Sequence, residues 1–198
     1  VQLSFLKIWD AILGRSGGRV EVTAAPVPRP VQRVAPKKKA PRRAAARGTV
    51  AERAPRAMAE KYDAMMRDLL QTHGVRVRKW RTGMSGVAWS VRYRDGRVVR
   101  LIEAPKPVGP MSAAVFCHEI GHHAIGFDVY KPRCLEEYHA WAWALAEMER
   151  RGLNVTDKVR ERMRKSLEYA VAKSLRRGIK SLPEEMTPYI EGARRFLR

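Results

Sequence analysis

Two histidines four residues apart, His118 and His122, with Glu119 directly after the first, constrain this chain more than any other stretch. Residues i and i+4 of an α-helix lie side by side on consecutive turns, so a helix here presents two neutral imidazoles to one point. A Zn²⁺ ion accepts such ligands, and Glu119 then faces the water at the ion's open position rather than the ion itself. A third ligand has to come from another element. The stretch Glu136-Glu137-Tyr138-His139-Ala140-Trp141-Ala142-Trp143-Ala144 has helical composition and an acidic start, and Glu137 is the leading candidate. Glu136, Cys134 and His139 stay open as alternatives, because carboxylate, thiolate and imidazole all ligate zinc.

The flanking pattern says what holds this helix. Met58, Tyr62, Met65, Met66, Leu69 and Leu70 recur at helical spacing and predict a helix over 52–73, stopped by Gly74. Beyond it the period changes to two. Val75 and Val77 open a strand, Val87, Trp89, Val91 and Tyr93 alternate on a second, and 98–102 is almost continuously apolar, a third. Asp95-Gly96 reads as a two-residue hairpin turn, and Ser85-Gly86 as an earlier hairpin. After the breaks at Pro105, Pro107 and Pro110, Ser112 reads as the N-cap of the helix that carries His118. Downstream, Asn154 or Thr156 caps a helix with Val159, Met163, Leu167, Val171 and Leu175 on its apolar face and Arg160, Arg162, Arg164 and Lys165 elsewhere; Gly178 stops it. Ser181-Leu182-Pro183-Glu184 reads as a capping box, and Thr187-Pro188 restarts a last short helix that ends at Phe196 and Leu197.

Charge divides the chain. Its 198 residues carry 40 Lys and Arg against 20 Asp and Glu, a net +20. Such an excess favours a polyanionic partner or an anionic surface. Residues 1–14 read as an amphipathic segment suited to docking on a partner protein, with Leu3, Leu6, Ile8, Trp9, Ile12 and Leu13 apolar. Residues 15–49 are a Pro- and Ala-rich basic linker, ten basic residues against Glu21 alone, and lack aromatics. Contact with nucleic acid or an acidic protein surface there would run through phosphates or carboxylates, independent of base sequence. Residues 50–198 are expected to form the folded domain. No apolar run is long enough to span a bilayer. The two cysteines, Cys117 and Cys134, are too few for a disulfide framework and fit a reducing, cytoplasmic setting or the interior of a phage or other assembly.

The run from Ser85-Gly86 through His118-Glu119-Ile120-Gly121-His122, followed by Glu137-Tyr138-His139-Ala140-Trp141-Ala142-Trp143-Ala144, resembles the ImmA/IrrE family of zinc metallopeptidases. In that family the second motif is similar to E-x-x-A-x-x-F-A, and Glu137, Ala140, Trp143 and Ala144 match it. The resemblance implies an α+β, zincin-like minimal metallopeptidase with a small β-sheet and several helices, here preceded by an extended basic arm. It further implies a peptidase that cleaves a regulatory protein, with zinc on His118, His122 and Glu137 and with Glu119 as general base. The alternative class is a structural or nucleic-acid-associated, phage-type assembly protein whose metal site is structural or vestigial. Other residues carry plainer expectations: His123, about 100° round the helix from His122, is a supporting or surface group; His73 caps or faces solvent; Cys117 is a buried small hydrophobe; Tyr130 and Tyr138 pack.

Overall fold

The computed structural model describes residues 50–197. The amphipathic segment 1–14 and the linker 15–49 lie outside the described residues.

Helix α1 (Val50–Thr72) buries Tyr62, Met65 and Leu69, which its 3.6-residue period stacks on one face. Gly74, at φ 59°, turns the chain out of it. Three strands follow: β1 (Val75–Arg81), β2 (Val87–Arg92) and β3 (Val98–Pro105). Their order is β1-β3-β2, with β3 parallel to β1 and antiparallel to β2. The expected hairpin at Ser85-Gly86 is therefore corrected, because β3 lies between β1 and β2 and residues 82–86 lead from one edge of the sheet to the other. The Asp95-Gly96 turn does close a hairpin. Tyr93 N–H donates to the Arg97 carbonyl at 2.8 Å, and Gly96 takes φ 84°. The near-continuous apolar run of 98–102 belongs to the central strand, where Ile102 and Ala104 are fully buried.

Helix α2 (Pro110–Ile125) is buried along its length from Ser112 to His123. A helix covered all round is a core helix, and α2 lies between the sheet and α3 (Arg133–Arg150). Its N-cap is Gly109 rather than Ser112. Proline at the first helical position needs no N–H partner. Ser112 sits inside the first turn, where its Oγ accepts from the N–H of Gly109 (3.1 Å) and Val108 (3.0 Å) and donates to the Gly109 carbonyl (3.0 Å). Helix α4 (Asp157–Arg176) is capped by Thr156, whose Oγ1 accepts from Val159 N–H at 3.3 Å.

The C-terminus departs from expectation. A 3₁₀ turn (Glu184–Tyr189), the one-turn helix α5 (Ile190–Ala193) and a second 3₁₀ turn (Arg194–Phe196) replace the single helix, and no side chain caps at Pro183. Pro188 lacks an N–H and interrupts an α-helical ladder. The segment is held to α4 by buried Glu168, which pairs with Arg164 (2.7 Å) and with Arg195. The described residues thus form an α+β fold of five helices and one three-stranded mixed sheet. No helix among them is long and apolar enough to cross a membrane.

Candidate metal centre

Helices α2 and α3 cross closely because of one glycine. A Cβ on Gly121 would lie 2.7 Å from the Ala140 carbonyl oxygen and 3.3 Å from Ala140 Cα, so only hydrogen fits between the two backbones. That approach lets a short side chain near the start of α3 reach the histidines of α2. His118 Nε2 lies 3.3 Å from Glu137 Oε2, and His122 Nε2 lies 3.7 Å from the same oxygen. The three ligating atoms all fall within 4.8 Å of one another. Tetrahedral zinc with bonds of about 2.0–2.1 Å separates neighbouring ligand atoms by about 3.3 Å, so the donor set fits such an ion in its chemistry and in the two separations from Glu137.

Electrostatics point the same way. Burial opposes a proton on His122, but the carboxylates of Glu137, Glu136 and Glu119 outweigh it and push the imidazole up to about 10. Burial also depresses His118, to about 4, against the pull of Glu137. Glu137, which burial alone would raise, is held well below the usual carboxylate range by His122 and His118. The pocket therefore gathers negative field on a small volume that favours a cation.

Glu136, open in the sequence as a third ligand, sits behind the site. His122 Nδ1–H donates to Glu136 Oε1 at 3.0 Å, which turns Nε2 toward Glu137; a metal ligated there would displace the Nε2 proton. The other Glu136 oxygen accepts from Asp128 N–H at 3.2 Å, and the Arg133 guanidinium lies 3.3 Å from Oε1. His118 is oriented differently. Its ring stacks on Trp141 at 4.4 Å and 21°, and its buried Nδ1 has no hydrogen-bond partner among the described residues. Glu136→Ala should weaken zinc binding about 10- to 100-fold, read by competition with a chelating dye. Unchanged affinity would show that the His122 ring is held by packing alone.

Cys134 and His139 fall outside the ligand group. Cys134 is buried toward Ser174, and burial, partly offset by that hydrogen bond, raises its thiol. His139 stacks on Tyr130 at 3.8 Å. Cys117 is buried with Sγ 3.5 Å from Met65 Sδ, and burial pushes its thiol up to about 12. His123 is buried and takes no place at the surface; its ring Nε2 bonds the Leu101 carbonyl at 3.1 Å and so fastens α2 to β3. His73 is half-buried, edge-on to Trp143 at 5.4 Å.

Glu119 is 3% exposed, and burial, countered by His122, raises its carboxyl to about 8. Gly86 roofs it. A Cβ there would fall inside van der Waals contact with Glu119 Cγ, Cδ and Oε1. The loop that carries Gly86 is held on one side by Arg81 Nη1–H to Ser85 Oγ (3.2 Å) and on the other by Arg162 Nη2–H to the Met84 carbonyl (3.0 Å). Arg162 thus leaves the polar face expected for it, and its charge acts on both Glu119 and His118. The sequence carries no signal for Arg162, which stands in a run of basic residues, or for the stacking role of Trp141. Comparisons with family models, with curated proteins and with solved structures each found no match.

Proposed function

We propose that the chain is a zinc-dependent metallopeptidase of minimal zincin-like form, similar in its two motifs to the ImmA/IrrE family, carried with a basic arm. The observation that supports it most is the convergence of His118, His122 and Glu137 from two crossing helices, with Glu119 buried one residue from the first ligand. His118, His122 and Glu137 would hold the ion. When bound, zinc supplies a Lewis acid that polarises a carbonyl and acidifies a water. Glu119, kept out of bulk solvent under Gly86, would be held as the carboxylate by a neighbouring cation, take the proton of the attacking water and deliver it to the departing nitrogen. Trp141 and Glu136 keep the two imidazoles oriented while this occurs. The substrate class is a protein or peptide. The arm, residues 15–49, binds nucleic acid or an acidic protein surface, and residues 1–14 dock on a partner. Buried, unpaired Cys117 and Cys134 suit a reducing compartment, cytoplasmic or within an assembly.

A second reading, a structural metal in a nucleic-acid-associated assembly protein, is favoured by the charge of +20. A closed structural site takes four protein ligands, and Cys134 and His139 stand outside the group of three. Elemental analysis of the full chain tests both. The expected result is one zinc per chain, lost or weakened in His122→Ala and Glu137→Ala, together with cleavage of a quenched-fluorescence peptide library that stops on chelation and returns with zinc. No bound metal after zinc is supplied would overturn the peptidase reading; bound metal with no cleavage of any peptide pool would move the protein to the structural class.

A further inference from the structure

One face of the sheet packs on α2 through Val77, Ala88, Ile102 and Ala104; the other lies outside that apolar core, buried at the Val87–Glu103 pair and half-buried or exposed elsewhere. Strand alternation and register put Arg76, Leu101 and Trp89 in one row across that outer face, with Val99 beside Val91 in another. Leu101, Trp89, Val91 and Val99 are half-buried, whereas Arg76, Arg78 and Lys79 along the β1 edge are exposed. The acid on this face, Glu103, is neutralised by Arg78 at 2.8 Å and by Arg81 at 3.0 Å. Arg78 lies over the Trp89 ring at 5.9 Å, and at the hairpin tip Arg97 lies over Tyr93 at 4.4 Å.

We propose that this outer sheet face, centred on Trp89 and flanked by Arg76 and Lys79, is a binding platform for single-stranded nucleic acid. The surface pairs flat aromatic groups with cations a few ångströms away. A single strand offers the complementary chemistry, unstacked bases for the rings and phosphates for the guanidinium and ammonium groups. A duplex hides its base faces, and an acidic protein has no flat ring tied to every anion along its chain as a single strand has. The chain's own arm is excluded by sign, since residues 15–49 are basic like this face. The proposal does not depend on the peptidase reading.

The test is fluorescence anisotropy of a labelled 20-nucleotide oligo-dT, a duplex of equal length and heparin, titrated with the full chain over a range of salt. Trp89→Ala is expected to weaken oligo-dT binding about 5- to 100-fold, the effect of losing one stacked base, while duplex and heparin binding change little. Arg76→Glu with Lys79→Glu should reduce the slope of log affinity against log salt by about 1.4, two phosphates at about 0.7 each. Circular dichroism melts show whether each variant is folded. Wild-type affinity in both variants, an equal loss for oligo-dT and heparin in Trp89→Ala, or no oligo-dT binding by the wild-type chain would each overturn the proposal.

Discussion

Glu119→Gln is expected to bind zinc as the wild type does and to hydrolyse peptides about a hundred- to ten-thousandfold more slowly. The substitution keeps the size of a side chain that is 3% exposed and whose Cγ, Cδ and Oε1 lie under Gly86, so the cleft keeps its shape. What it would remove, on the peptidase reading, is the site that receives a proton. His118, His122 and Glu137 are untouched, and so the metal should stay. Gly86→Ala should reach a similar end by another route, because its methyl group would take the space of the Glu119 carboxylate. Zinc content by elemental analysis and kcat on a cleaved peptide separate the two properties. Loss of metal in Glu119→Gln would mean that Glu119 is a ligand, and full activity would remove it from the mechanism.

Gly121→Ala is expected to damage both the fold and the site. Alanine normally gains about 1 kcal/mol over glycine inside a helix. Here the added Cβ would stand 2.7 Å from the Ala140 carbonyl oxygen and 3.3 Å from Trp143 Cε3. A backbone oxygen cannot swing aside, so α2 and α3 must part, and overpacking of this kind costs about 1–3 kcal/mol, a net loss of up to about 2 kcal/mol after the propensity gain. For a chain of this length that lowers Tm by up to about 8 °C. Because the same two helices carry the histidines and Glu137, zinc affinity should fall along with stability. Gly83→Ala is the control, with nothing within 4 Å of the new methyl group and an ordinary φ. A Gly121→Ala protein with wild-type Tm and zinc affinity would mean that the helices cross less tightly than these distances require.

Sequence reading succeeded where the physics is local. His118 and His122 lie on one face because four residues make about one turn, and the hairpin at Asp95-Gly96 follows from a turn that demands positive φ. It left alternatives open where a position depends on distant parts of the chain. Glu136 and Glu137 are neighbours about 100° apart on one helix, and which of them meets Nε2 and which backs Nδ1 depends on how α3 is rotated against α2. That rotation is set at Gly121 and Ala140, and no spacing records it. The sheet order was half legible. The apolar run of β3 was legible as a strand and its central place was not, and pairing of sequential strands suggested a hairpin at Ser85-Gly86 that the parallel β1–β3 pairing replaces. At Ser112 a good capping residue lost the N-cap to Gly109, because the proline at position 110 already supplies the first turn.

The clasp formed by Glu136, with one oxygen on His122 and the other on the Asp128 amide, has a consequence for how the protein assembles. The three ligands, the Glu136 clasp, the Gly121–Ala140 crossing and the stacking Trp141 are all drawn from residues 118–141. Closing that segment costs about the same chain entropy as pairing Val75 with Arg100, so the helical pair and the sheet close loops of comparable length. An ion bound at the site would add a link between α2 and α3 that the sheet does not supply.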